Sequence, residues 1–427
     1  MRKKLLAALI SGFLVFAFVS WARSAIETKK KDEMYRQVQL FADTVAIIQS
    51  EYVDEVSPKD LIYGSLKGML SALDPHSQFM DPDTYNELKV DTEGKFGGVG
   101  IEITVKDALL TVVTPIDDTP AWRAGIKAGD RIVRINNEMT RDMTLSEAVK
   151  KMRGRPGETV NLTILRESQK KVLEFKIVRD IIKIKDVKEA RILEDGIGYI
   201  RLVEFRENAP QEINSALENL SKTALTGLIL DLRNNPGGLL EVAVKVTEKF
   251  IEPGKIIVTT KGRKVSQNME FRSHEEHPIL NIPMVVLINE GSASGSEIVA
   301  GCLQDYKRAI ILGMKSFGKG SVQTVIPLSD GSGLRLTTSK YFTPLGKVIH
   351  EKGVMPDIVV ESEEKIGPEE ETKKQAKPQD VFEEIEKKEK TDKSKESEKA
   401  FEYKDDNQLM QAINVLKVAR FYKGGKV

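Results

Sequence analysis

The apolar positions change rhythm along the chain, and each rhythm predicts a different architecture. From Glu33 to about Tyr85 the period is helical. Phe41, Val45 and Ile48 recur at helix spacing, and Pro58 opens a second helix carrying Leu61, Ile62, Leu66, Met69 and Leu70. DPHSQFMDP, with its two prolines, breaks this pattern. From about Gly94 to Val178 the text turns into short alternating strands and glycine turns. FGGVGIEITV, LLTVVTPI, DRIVRINN and ETVNLTIL read as strands, and TPAWRAGI and TLSEAVKKMRG as short helices between them. A compact module over 90–178 follows from this.

From Gly196 to Val360 strands and helices alternate. GIGYIRLVEF, TGLILDL, MVVLI and AIILG are strands, and NAPQEINSALENL, GGLLEVAVKVTEKFI and SEIVAGCLQDY are helices; GLRLTTSKYFT and IVV add later strands. Such alternation predicts an α/β core over 180–360 with a largely parallel sheet. Residues 361–399 are dominated by Glu, Lys, Asp, Ser, Pro and Gln and predict a solvated linker, because such a stretch has no apolar face to bury. The segment 402–427 closes the chain with an amphipathic helix, apolar at Leu409, Ile413, Leu416 and Phe421. It packs on its own chain or forms a dimer contact.

The N-terminus places the rest. Arg2, Lys3 and Lys4 precede an apolar run from Leu5 to Trp21, the layout of an export segment over 1–25. The run is long for a cleaved signal and short for a comfortable span. An uncleaved membrane anchor is the first reading and cleavage near Ser24 or Ala25 the second. The positive-inside rule sets the remainder on the extracytoplasmic, periplasmic side.

Composition narrows the chemistry. Across 427 residues, 65 Lys and Arg nearly cancel 64 Asp and Glu, which argues against a nucleic-acid partner. A single cysteine, Cys302, leaves no internal disulfide and no CxxC metal or redox motif, and its place in a helix marks it as a core residue. HEEH, His274 to His277, has a metal-like spacing but lacks an evident third ligand, so neither metal nor organic cofactor is expected.

Two loops carry the candidate chemistry: LDLRNNPGG, and NEGSASGSE after MVVLI. In a parallel sheet both leave the carboxyl ends of strands, where ligands bind. Gly237 and Gly238, with the N–H of Gly295 at the start of a helix, are candidates to hold an oxyanion. NPGG alone is also a common turn. Ser292, Ser294 and Ser296 are the candidate nucleophiles, and the residue types do not choose among them; Ser296 with Glu297 equally suits a helix start. No histidine adjoins them. His76 and His350 remain open as bases, and a desolvated lysine is a known substitute, with Lys315 and Lys319 in MKSFGKGSVQT.

SASGSEIVAGCLQDY, GMKSFGKGSVQ and DLRNNPGG together resemble the C-terminal processing peptidases, or tail-specific proteases, serine peptidases with a crotonase-like α/β core. The resemblance runs from about Tyr35 to Val360. It implies Ser294 as nucleophile, Lys319 rather than Lys315 as base, and Gln323 orienting the lysine. It also implies a supporting part for Asp305, whose plain alternative is helix C-terminal structure. FGGVGIEI followed by TPAWRAGIKAGDRIVRINN resembles a PDZ domain inserted into that multi-domain α/β fold. Gly97, Gly98, Val99 and Gly100 are then the loop that captures a peptide carboxylate, and Ile101 begins the peptide-pairing strand. Arg153 stands between module and core, a candidate coupling residue or simply a solvent-facing arginine.

The expected function is therefore a serine endopeptidase that recognises free C-terminal tails of unfolded or flexible proteins and cuts them with a Ser–Lys pair. An inactive PDZ scaffold and a latent protease awaiting an activating adaptor carry the same residues and stay open, as does a homodimer. A crotonase-type acyl-CoA enzyme fits neither the export segment nor the PDZ module.

Overall fold

A computed structural model describes residues 32–106, 109–141, 143–166, 169, 171–279, 281–362 and 403–424. The export segment, and all but the first two residues of the charged linker, lie outside them. The chain forms two units, Met1–Pro82 with Val325–Leu336, and Asp83–Thr324 with Thr337–Val427.

In the first unit a helix over 32–51 precedes the helix Pro58–Ser71, whose proline sits in the first turn, where its missing N–H costs nothing. The break at DPHSQFMDP holds a short strand, Gln78–Met80, pairing antiparallel with Gly333–Arg335. Phe79 and Met80 are buried there. Tyr63 packs edge-on against Phe79 and donates to Asp330 Oδ2 at 2.8 Å.

The second unit holds two sheets that matter for function. The glycine-rich module is an antiparallel sheet of Ile101–Lys106, Leu109–Pro115, Arg131–Ile135, Thr159–Arg166 and Lys171–Val178, with Ile101–Lys106 on its edge. The helix Leu145–Met152 begins with a Thr144–Glu147 capping box and packs against this edge strand. FGGVGIEITV is not one strand. Lys95–Gly98 pairs with Asp180–Lys183 in a separate ribbon, and the chain bends at Gly100, whose φ of 80° suits glycine.

The core sheet has the order Val187–Ile192, Ile197–Leu202, Gly227–Asp231, Met284–Ile288, Ile310–Gly313, Ile358–Val359, parallel throughout except at the first pair. GLILD and MVVLI are buried at every position because both faces are covered. Leu228, Leu230, Val286 and Ile288 face the helices Ala209–Ser221, Leu240–Glu248 and Gly295–Asp305. Ile229, Val285, Leu287 and Leu312 face the C-terminal helix Asn407–Gly424, which buries Leu409, Ile413 and Leu416 and leaves Phe421 exposed. That helix therefore packs on its own chain. The strand Gly333–Phe342, expected in the parallel sheet, instead runs antiparallel to Ile256–Gly262 through Ser339–Phe342.

Candidate active site

Three loops leave the carboxyl edge of the core sheet, and side chains stitch them together. The first follows Asp231 and the second follows Ile288. Asn234 and Asn289 exchange hydrogen bonds, the Asn234 amide donating to Asn289 Oδ1 and Asn289 Nδ2 donating to Asn234 Oδ1, both at 2.8 Å. Ser292 Oγ donates to the Leu232 carbonyl at 2.8 Å, and Ser296 Oγ to the Asn235 carbonyl at 2.9 Å. Both serines are fully buried. Their hydroxyls are rivets between loops.

Ser294 differs from them. It is half-buried and meets the phenol of Tyr341. Its backbone, at φ 52° and ψ −109°, lies where an L-residue rarely goes, just before the helix Gly295–Asp305. This strained strand-to-helix turn presents the hydroxyl at the sheet edge.

The third loop follows Gly313. The Phe317 amide donates to the Ser292 carbonyl at 3.0 Å, setting this loop beside the second. Lys319 is half-buried here, while Lys315 is exposed. The Tyr341 phenol also donates to the Lys319 carbonyl, so one hydroxyl touches both candidate residues.

The residue that joins the parts is Glu297, fully buried in the first turn of the helix. Its Oε2 accepts from the amides of Ser294 and Lys319, and its Oε1 from the Gly318 amide at 2.7 Å and Ser316 Oγ at 2.6 Å. Burial raises its pKa above the ordinary glutamate value, and these four hydrogen bonds oppose the shift. Burial likewise pushes the Tyr341 phenol well up, with the Glu297 charge adding to it. Neither Glu297 nor Tyr341 was singled out as functional from sequence. SxxE signals only a helix cap, and a tyrosine in a strand signals only core.

The glycines divide. The N–H groups of Gly238 and Gly295 have no acceptor among the described residues, as oxyanion donors require. Gly237 does not join them, because its N–H donates to Asn235 Oδ1 at 2.9 Å. Its part is close approach: with φ at 102°, a Cβ there would stand 2.7 Å from the Ser294 Cβ. Gln323 donates to Ser321 Oγ at 2.9 Å and reaches Thr337 Oγ1 at 3.5 Å. Asp305 sits at the opposite end of the helix from Ser294. It accepts the Leu345 amide at 2.9 Å and pairs with Lys347 at 2.7 Å, so it holds a turn. His350 abuts the Lys319 loop through its backbone, since a Cβ on Gly320 would meet its nitrogen at 2.2 Å. His76 lies in the first unit, its amide held by Asp74. Cys302 is buried, with its thiol pKa pushed up by that burial.

In the glycine-rich module, a cavity of about 160 Å³ lies between the edge strand and the helix Leu145–Met152. Gly98, Val99, Gly100 and Ile101 line it, with Leu145 and Val149 across from them. Gly97 is not among the lining residues. It belongs to the ribbon, where a Cβ would stand 2.1 Å from the Gly154 carbonyl oxygen. Arg153 also lines the cavity, its guanidinium 4.6 Å from the Phe96 ring centre.

Comparison with known families gives three matches along the chain. The model of Peptidase family S41 matches residues 196–360 and that of a PDZ domain residues 111–166. The model of the activating protease CtpB N-terminal domain matches residues 10–84. A carboxy-terminal-processing protease of Bartonella bacilliformis is 45% identical over 365 residues, 84% of this chain and 83% of the relative. A carboxyl-terminal-processing protease of Picosynechococcus sp. is 36% identical over 381 residues, 85% of this chain and 91% of the relative. Among solved structures, a photosystem II D1 C-terminal processing protease is 30% identical, covers 76% of this chain and 92% of its own, and has a TM-score of 0.44.

Proposed function

From a chain that belongs to peptidase family S41, as a serine-type C-terminal processing peptidase with a PDZ domain, we propose a specific division of labour. The PDZ cavity captures the free C-terminus of an unfolded or flexible protein, the edge strand Ile101–Lys106 pairs with its backbone, and the core cuts upstream. The observation that carries the catalytic part is the shared carboxylate, Glu297 Oε2, on which the amides of Ser294 and Lys319 both hang.

Ser294 Oγ attacks the scissile carbonyl carbon while neutral Lys319 Nζ takes its proton. The N–H groups of Gly238 and Gly295 hold the oxyanion. Lys319 then protonates the leaving amine, and the acyl-enzyme forms. Water, deprotonated by Lys319, releases the acyl group and restores the serine. Gln323 keeps the lysine in place, and Arg153, stacked on Phe96 at the cavity, couples capture to cutting. The pair works on peptide substrates without a cofactor.

The basic residues and apolar run of 1–25 support a periplasmic enzyme held at the inner membrane, or released after signal cleavage. The helix over 32–51 exposes Met34, Tyr35, Val38 and Phe41, which supports a homodimer contact in the N-terminal unit.

The test uses the chain lacking residues 1–25 with an unfolded substrate ending in apolar residues, products read by mass spectrometry. Loss of cleavage in Ser294→Ala and in Lys319→Ala, with weakening on amidation of the substrate's C-terminus, is the expected result. Cleavage surviving in Lys319→Ala overturns the lysine and turns attention to His350. A parent chain that never cuts, even with added adaptor candidates, favours the scaffold.

A further inference from the structure

We propose that the C-terminal helix Asn407–Gly424 is a positioning element of the active site, acting through Asp406 and Gln408 on Arg233. The proposal rests on the reading of Gly238 as an oxyanion donor. The helix lies beyond residue 360, where the peptidase match ends.

Arg233 occupies the loop between the last core residue of its strand and the glycines. Every N–H of its guanidinium has an acceptor. Nε and one N–H of Nη2 reach Asp231, at 3.0 Å and 2.7 Å. Nη1 donates to Asp406 Oδ1 and to Gln408 Oε1, each at 3.0 Å, and Nη2 to Asp406 Oδ2 at 2.7 Å. Asp231 is fully buried and also accepts the Tyr199 hydroxyl at 2.8 Å and the Arg233 amide at 3.0 Å. Asp406 accepts the Leu409 amide at 3.0 Å, capping the helix, and Gln408 Nε2 donates to the Val360 carbonyl at 2.7 Å. One clasp therefore ties the helix start, the end of the core and the oxyanion loop.

Docking the helix does not explain the clasp. Leu409, Ala412, Ile413 and Leu416 already seal the sheet face, and apolar packing does that without burying charges. The loop after Arg233, by contrast, needs an external hold. Asn234, Gly237 and Gly238 stand at φ 57°, 102° and 146°, backbone that Asn and Gly admit but, being permissive, do not fix. Asn234 faces the Asn289 loop, and Arg233, the preceding residue, is gripped from the helix side. The helix thus fixes one end of the segment that presents the Gly238 N–H.

The test compares the full chain with Asp406→Ala, Asp406→Glu and Leu416→Ala, measuring kcat and KM for tail cleavage alongside thermal melting. Ser294→Ala is the reference for the site itself. Asp406→Ala is expected to lower kcat about tenfold or more with KM nearly unchanged, since small misplacements near the chemistry have effects of that size. Asp406→Glu, which keeps a carboxylate, recovers part of the loss. Leu416→Ala, which thins the helix packing away from Arg233, lowers the melting temperature with kcat kept. Unchanged kcat in Asp406→Ala, or an equal fall in Leu416→Ala at matched stability, overturns the inference. Full activity in Ser294→Ala sinks the reading of the site instead.

Discussion

Ser294 and Lys319 hang their backbone amides on the same atom, Oε2 of Glu297, at 2.8 Å and 2.9 Å. The strained turn of Ser294, the proposed nucleophile, and the Lys319 loop are therefore set against each other by one buried carboxylate. Replacing it with an amide turns an acceptor into a donor facing other donors, and an unsatisfied buried donor costs about 1–3 kcal/mol. Glu297→Gln is expected to lower kcat roughly a hundredfold, the scale of a small misplacement. KM for the tail, which the proposed capture at the PDZ cavity sets, is expected to stay near its parent value. Steady-state kinetics on the two proteins checks this.

The same carboxylate gives activity and stability opposite pH slopes. Burial raises the Glu297 pKa, so the folded state holds that proton more tightly than the unfolded state. Its contribution to stability is full below the ordinary glutamate pKa and is lost as pH rises through the raised value. Activity needs the ionised acceptor and falls as pH drops through that window. Melting curves against pH should flatten in Glu297→Gln over the range where the parent declines.

Ser292 and Ser296 offer a sharp contrast with Ser294. Each carbonyl they bind keeps a second donor, the Asn235 amide at Leu232 and the Ala293 amide at Asn235. Ser292→Ala and Ser296→Ala should each cost about 1 kcal/mol of stability and leave cleavage within roughly tenfold of the parent. Ser294→Ala should abolish it. Three serines of equal activity loss would contradict the assignment.

Filling the module's cavity should separate capture from cutting. Val149 faces the cavity opposite the edge strand, and tryptophan there occupies the space of a tail side chain. Val149→Trp is expected to raise KM about tenfold or more with kcat at saturation retained, the pattern of lost ground-state binding. Fluorescence polarisation with a labelled apolar tail peptide, free and amidated, measures the capture step directly.

How much of this was legible depended on the range of the interaction. TGLILDL and MVVLI announce buried parallel strands because a continuous apolar run needs cover on both faces. Ile256–Gly262 went unread, since IIVTTKG mixes polar residues and its partner, Ser339–Phe342, is remote in sequence. Val99–Gly100 broke an apparent strand because only φ shows where glycine turns the chain. Ser294 and Lys319 were named through resemblance. Glu297 was read as a cap, which it is through the Ser294 amide, but Oε1 and the Lys319 bond join segments that no local pattern relates. Gly237 was expected as a donor, and only the Asn235 side chain reveals otherwise.

Asp186 carries the last prediction. It is fully buried, accepts from Arg206 Nη1 at 2.8 Å through Oδ1, and its Oδ2 has no hydrogen-bond partner among the described residues. Burial pushes its pKa up to about 6, against the pull of Arg206. The folded state therefore binds a proton that the unfolded state has released between roughly pH 4 and 6, and stability falls as pH rises through that window. A shift of this size corresponds to about 3 kcal/mol. Asp186→Asn removes the titration, while Arg206 keeps Glu204 and the Asp91 carbonyl as acceptors. Its denaturation midpoint should decline less than the parent's from pH 4 to pH 7, Glu297 still titrating in both, so the two curves converge or cross toward neutral pH. A parent midpoint that instead gains on the variant's as pH rises over the same range would place the Asp186 pKa below its ordinary value and reverse the assignment.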